Sequence, residues 1–233
     1  MAAPRFYRSM GIAATAVAII GFVPGLVRSN RLGPITPMVA WHGALGAAWL
    51  VLYLVQTTLI GRGSREQHRR LGFVGVGLAI AFVITGYAVA IAQTRRGFDL
   101  SGDLHIADDP LAALVFPLGD VLSFSVLVGL ATLWRRRPDR HKRLILLSTV
   151  VLMGAPLAHV IGQVPALHAF PPVILLPLAA FYFAAAIHDR WTDGRVHPIS
   201  LWGAIALLVW AQGRAVLVGP SEAWHRFAAW LIA

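Results

Sequence analysis

The stretch Leu111–Leu133, LAALVFPLGDVLSFSVLVGLATL, decides the fold class of this chain. A helix of about 20 apolar residues crosses the roughly 30 Å hydrocarbon core of a bilayer, and this stretch is long enough to do so. Its only ionisable residue is Asp120. A run of this length and composition predicts a transmembrane helix rather than the core of a soluble domain.

The composition of the whole chain agrees with that prediction. The 233 residues are 58% hydrophobic and 13% charged, with a mean hydropathy of +0.70, which exceeds the apolar content of soluble domains. We therefore expect one domain, 1–233, that is an all-α polytopic membrane bundle of seven transmembrane helices plus a C-terminal interfacial helix at Ser221–Ala233. The predicted spans are 10–28, 36–61, 71–93, 111–134, 144–164, 171–188 and 199–218.

The basic residues predict the orientation of the bundle. Positive loops stay in the cytoplasm, and a cytoplasmic N-terminus places 14 of the 20 Lys and Arg residues on that side and six on the other. The C-terminus is then external, and a bacterial inner membrane is the expected location. Basic loops beside an anionic leaflet account for the net charge of +10, so no nucleic-acid partner is expected.

Three ionisable side chains inside predicted spans indicate a polar site in the outer leaflet. His42, Asp120 and His159 lie in apolar surroundings, where such groups are costly and usually face the bundle interior. Arg214 is the expected counter-charge of Asp120. Gln163 and Gln212 are expected at the same level as Arg214 and complete this polar cluster.

Histidines in pairs suggest haem b as a cofactor. His42 and His159 lie at similar predicted depth, beside small residues that leave room for a flat ring, and they are expected to face each other. His68 and His141 form a second candidate pair at the cytoplasmic edge. Two stacked pairs resemble the architecture of dihaem b-type membrane cytochromes, which implies transmembrane electron transfer with a quinone or another redox partner. The chain has no cysteine, which excludes thiolate-ligated and covalently attached haem.

Two alternatives remain open at the sequence level. His42, Asp120 and His159 also match the two-imidazole, one-carboxylate ligand set of a zinc or other divalent metal site, which would make the chain a membrane hydrolase acting on lipids. That arrangement is similar to the seven-span hydrolases of the ceramidase and adiponectin-receptor kind. In the other alternative the polar cluster is structural, with Asp120 bonded to Arg214 or to a histidine, and the chain is an accessory or transport subunit.

Several short motifs within residues 36–150 carry a further resemblance. They are WHG at Trp41–Gly43, QTTLI at Gln56–Ile60, HRRLG at His68–Gly72, PLGD at Pro117–Asp120 and RRRPDRHKRL at Arg135–Leu144. This pattern resembles a group of bacterial multi-span membrane proteins of unassigned activity. The resemblance implies a membrane protein and singles out Asp120 and His141, but it implies no reaction.

Overall fold

The regular structure is helical throughout the residues that the computed structural model describes, which are 2–27, 34–99, 104, 109–168 and 171–233. Two short irregular helices join the α-helices, a 3₁₀ turn at Pro171–Ile174 and a π-helix at Arg214–Val218. The α-helices are α1 Ala2–Val27, α2 Pro37–Gly61, α3 Arg65–Arg95, α4 Pro110–Ala113, α5 Val115–Leu133, α6 Pro138–Val151, α7 Gly154–Gly162, α8 Pro165–His168, α9 Leu175–Asp193, α10 Pro198–Gly213 and α11 Glu222–Ile232.

Six helical segments in the described part of the chain are long and apolar enough to cross a membrane. They are Arg5–Val27, Pro37–Gly61, Arg65–Arg95, Pro110–Leu133, Pro138–Gly162 and Pro198–Val218. The chain is therefore a multi-pass membrane protein. The seventh predicted span, 171–188, is not confirmed by this criterion, because it forms the 3₁₀ turn and α9. Charged residues enter the last turns of α9 and shorten its apolar part: His188, Asp189, Arg190 and Asp193.

Two prolines divide predicted spans into shorter helices. Proline has no N–H for the carbonyl four residues earlier. Accordingly α4 ends at Ala113, which is four residues before Pro117. Helix α6 ends at Val151, and the next residue, Leu152, is the one whose carbonyl Pro156 leaves without its usual donor.

The core lies where α5, α6 and α9 meet, because these helices carry the side chains most completely removed from the surface. Phe124, Leu147, Val150 and Tyr182 are each at most 1% exposed. One polar bond crosses this core, from the Trp49 indole N–H of α2 to the Thr149 hydroxyl of α6 at 3.2 Å. Large apolar side chains on the outer surface of α1, α2 and α3 are exposed, as expected for surfaces that meet lipid.

Three interhelical connections define what we call the basic end of the bundle: Arg62–Ser64, Trp134–Arg137 and Gly194–His197. The first two contain or adjoin the arginine-rich motifs of the sequence. Helix α11, which packs on α4 and α3, lies at what we call the opposite end. There α11 begins at the cap residue Ser221, whose hydroxyl accepts from the Trp224 N–H at 3.2 Å, and it buries Ala228 against α3 and α4.

Candidate functional site

Asp120 and Arg214 form a buried ion pair near the opposite end of the bundle. Asp120 belongs to the second turn of α5, and Arg214 is the first residue of the π-helix that follows α10. The Arg214 guanidinium donates through Nη2 to Asp120 Oδ1 and through Nη1 to the Phe116 carbonyl at 2.9 Å. Both residues are at most 8% exposed. The pairing predicted from the sequence is confirmed.

Two glycines make the space that this ion pair occupies. A Cβ atom on Gly119 would lie 2.6 Å from Arg214 Nη1, and one on Gly154 would lie 3.1 Å from Asp120 Oδ2. Gly154 is the first residue of α7, so the break before α7 brings this helix close to the carboxylate. The Nε atom of Arg214 is buried and has no hydrogen-bond partner among the described residues.

The His42 side chain of α2 lies against α3. Its ring stacks on Phe82 with centroids 4.5 Å apart. The Thr85 hydroxyl donates to the Ala81 carbonyl at 2.8 Å, so it accepts from His42 Nδ1 at 3.0 Å. This assigns the proton of a neutral imidazole to Nδ1. Thr85 was not identified from the sequence, although its position in an apolar span was a usable signal.

His159 and Gln163 pack against α1. The His159 ring makes an edge contact with Phe22 at 5.3 Å, and the Gln163 amide donates to the Gly21 carbonyl at 3.2 Å. Gln212 is exposed. Among the residues expected in one polar cavity, the described contacts join Asp120 to Arg214, while the ring contacts of His42 and His159 are with α3 and α1.

The proposed metal ligands do not assemble. Within the described ranges no group of three His, Asp or Glu side chains is placed to hold a metal ion. His42 and His159 contact different helices, α3 and α1, while Asp120 is bonded to Arg214. A catalytic zinc needs three protein ligands, so these three residues do not fit the metal alternative.

The structure does bring His68 and His141 together at the basic end. His68 lies in the first turn of α3 and His141 in the first turn of α6. Their ring centroids are 6.3 Å apart, and the ring planes make an angle of 81°. This is the one pair of predicted site histidines that the described contacts place side by side.

The ring nitrogens of this pair have different surroundings. His141 Nδ1 donates to the Ala131 carbonyl at the end of α5 at 2.9 Å, which leaves Nε2 of a neutral ring with a free lone pair. His68 Nδ1 is buried and has no hydrogen-bond partner among the described residues. Buried polar atoms are nearly always partnered, so this nitrogen points to a missing partner.

A buried charge network at the basic end was not identified from the sequence. Arg143 donates through Nη2 to Asp189 Oδ1 at 2.5 Å and through Nε to Asp189 Oδ2 and to the Ser200 hydroxyl, both at 3.0 Å. The three residues are at most 3% exposed. In the sequence Arg143 belongs to the arginine-rich motif RRRPDRHKRL, and the one available signal for a buried partner was Asp189, the acid that directly follows the predicted span 171–188.

Comparison with known protein families, curated proteins and solved structures finds no match to the chain.

Proposed function

We propose that the chain is a b-type haem protein of the membrane that carries electrons at its basic end, with His68 and His141 as the two axial ligands of the iron. The observation that carries the proposal is the separation of the two imidazoles. It narrows the sequence-based hypothesis, which had two haems, to a single site.

The separation suits two imidazoles that share one metal atom. Metal–nitrogen bonds of about 2.0–2.1 Å, with about 1.1 Å from each nitrogen to its ring centre, place the two ring centres about 6 Å apart. The observed centroid separation is 6.3 Å. Edge-to-face packing of two rings also allows centroid separations of about 4.5–7 Å, so the unpartnered His68 nitrogen and the orienting bond to His141 are needed beside the distance.

The hydrogen bond to His141 is of the kind that orients a metal ligand. Ligating histidines usually donate their second ring N–H to a carbonyl or a carboxylate, which fixes the ring and raises the basicity of the ligating nitrogen. The Ala131 carbonyl takes this role at His141 Nδ1. The unpartnered Nδ1 of His68 is satisfied if the ring is bound to iron through that atom.

Haem fits this pair better than a bare metal ion does. Haem iron receives its equatorial ligands from the porphyrin and needs only two axial groups from the protein, whereas zinc needs more protein ligands than the pair provides. Haem also carries two anionic propionates. Arginines flank both histidines along the sequence and can neutralise these charges: Arg65, Arg69, Arg70, Arg137 and Arg140.

A second haem at His42 and His159 is not part of the proposal. The His42 ring is covered on one face by Phe82, and His159 packs against Phe22 of another helix. The bound haem supplies one-electron chemistry at the basic end, so the expected partner is a quinone or a redox protein that reaches that surface.

We also propose that α9 crosses the membrane, which gives seven crossings, a cytoplasmic basic end and an external C-terminus. The Arg143 network supports this, because it joins the beginning of α6 to the end of α9 and the beginning of α10. Helix α9 therefore runs back toward the end at which α6 begins. Its 19 residues extend about 28 Å at 1.5 Å per residue.

The absorbance spectrum of the purified protein tests the haem proposal. Protein produced with added haem precursor is expected to show the Soret band of a b-type haem, and His68→Ala and His141→Ala are each expected to lose most of it. His42→Ala and His159→Ala are the matched controls, since they remove histidines of equal size at the opposite end, and they are expected to keep the band.

Two results would overturn the proposal. One is a protein that binds no haem during production or on titration with hemin while its helical circular dichroism is intact. The other is a Soret band of normal intensity in the His68→Ala/His141→Ala double variant.

A further inference from the structure

His225 ties α11 to α4 at the opposite end of the bundle. Its Nε2 atom lies 2.9 Å from Asp109 Oδ2, and its Nδ1 atom lies 2.9 Å from the Ser221 carbonyl oxygen. Asp109 is also the cap of α4, because its other carboxylate oxygen accepts from the Ala112 N–H at 2.9 Å. The imidazole therefore stands between two oxygen atoms that only accept hydrogen bonds.

A neutral imidazole cannot satisfy both contacts. It has one N–H and one lone pair, so either the Asp109 carboxylate or the Ser221 carbonyl would face a nitrogen lone pair. Only the imidazolium cation donates from both nitrogens. We propose that α11 is a pH-sensitive strap, held on α4 by the imidazolium form of His225 and loosened when that ring loses its proton.

The electrostatics around His225 agree with this geometry. The hydrogen bond to the Ser221 carbonyl raises the pKa of His225 above its ordinary value of 6.5, and the hydrogen bond to the Asp109 carboxylate raises it further. The hydrogen bond from the Ala112 N–H is the largest cause that lowers the pKa of Asp109, and the contact with His225 lowers it as well. Because the pKa of His225 is raised in the folded protein, the stabilisation from its imidazolium is complete below the ordinary imidazole pKa. This stabilisation is lost as the pH rises through the raised pKa. The stabilisation from the Asp109 carboxylate is lost in the opposite direction, as the pH falls through the lowered pKa of that group.

The other charged groups that the described residues place on or against α11 belong to α11 and α3. Glu222 and Arg226 belong to α11 itself and lie 3.6 Å from each other. From α3, Arg95 donates to the Ile232 carbonyl at 2.6 Å. The segment 100–108 contains Asp103, His105 and Asp108, and apart from Leu104 it lies outside the described residues.

The last turn of α11 has an anchor that does not depend on pH. The bond from Arg95 to the Ile232 carbonyl holds that turn on α3. In the first turn, the Trp224 indole N–H donates to the Leu111 carbonyl at 2.8 Å and is the only other polar contact with α4 that the described residues show. Loss of the imidazolium therefore acts on the first turn and leaves the last turn attached.

Spin labels test the strap in the full chain, because the protein has no cysteine of its own. The variant Ala88→Cys/Ala223→Cys places labels at two exposed positions, one on α3 and one in the first turn of α11. Pulsed electron paramagnetic resonance in nanodiscs is expected to give one narrow distance distribution below the pKa of His225. A longer or broader distribution is expected above it.

Two further substitutions in the labelled chain decide the cause. Asp109→Asn keeps a good helix cap and removes the charge, so the midpoint of the transition is expected to move to lower pH. His225→Gln is expected to abolish the pH dependence. A distribution that does not change with pH in the parent chain, or a transition that persists in His225→Gln, would overturn the proposal.

Discussion

Arg214 shows how one residue can determine the arrangement of several helices. Its guanidinium bonds to the Asp120 side chain and to the Phe116 carbonyl of α5, and it occupies the space that Gly119 leaves open. Removing one partner of a buried pair leaves an uncompensated charge, which costs more than removing both partners together. The pair therefore fixes how α10 docks on α5 without itself requiring a ligand.

Replacing Asp120 by leucine tests this role. We expect Asp120→Leu to lower the free energy of unfolding by about 3–5 kcal/mol, since Arg214 is then buried without a counter-charge. The double variant Asp120→Leu/Arg214→Met is expected to recover most of the loss. Thermal unfolding in detergent, followed by circular dichroism, measures both changes.

A matched control is Glu66→Gln, which removes the acid of an exposed pair with Arg70 and is expected to change the stability little. Equal losses in the single and double variants would show that the ion pair does not set the docking of α10.

The pairing of Asp120 with Arg214 could be predicted from the sequence, whereas the contacts of the His42 side chain could not. Few ionisable residues lie at the depth of Asp120, so its counter-charge was nearly determined by composition. For His42 the depth was not enough, because the rotation of each helix depends on its packing. His42 is turned toward Phe82 and Thr85 of α3.

At the scale of elements, the prolines decide where helices break, and glycines decide how closely they approach. Gly21 of α1 lies against the first turns of α7, and a Cβ atom placed on it would lie 2.8 Å from Pro156 Cα and closer still to the Pro156 carbonyl oxygen. The position of Pro156 within the predicted span 144–164 is one where a proline bends or breaks a helix. The sequence did not indicate a separate helix α7 or its contact with α1, because that contact depends on backbone atoms rather than on a hydrophobic pattern.

Gly21→Ala is expected to separate α1 from α7 and to lower the free energy of unfolding by about 1–3 kcal/mol, as overpacking does. The matched control is Gly129→Ala in α5, where a Cβ atom meets nothing within 4 Å and where alanine favours the helix. The melting temperatures of the two variants compare them directly. A melting temperature for Gly21→Ala equal to or above that of Gly129→Ala would contradict the close approach.

At the scale of the whole molecule, the number of crossings depends on α9. Hydropathy could identify the other membrane helices, because each contains a long apolar run. It is ambiguous for α9, whose last turns are charged. Asp189 and Ser200 flank a short connection, and their bonds to Arg143 place that connection at the basic end.

Reporter fusions test the topology of the intact chain. Fusions after Arg137 and after Gly194 are expected to report the same side of the membrane, and a fusion after Ala233 is expected to report the other side, because α10 crosses once more. If the fusions after Gly194 and Ala233 report the same side, α10 does not cross as proposed. If those after Arg137 and Gly194 differ, α9 does not cross.

The central claim concerns the way in which His68 and His141 meet. If this pair holds a haem as proposed, the angle of 81° between the ring planes has a spectroscopic consequence, because nearly perpendicular imidazole ligands would leave low-spin ferric haem strongly anisotropic. Electron paramagnetic resonance of the oxidised protein at low temperature is therefore the most direct measurement. A strongly anisotropic low-spin signal that disappears in His141→Ala is the predicted result, and a high-spin signal, or a low-spin signal unchanged in that variant, would contradict the account.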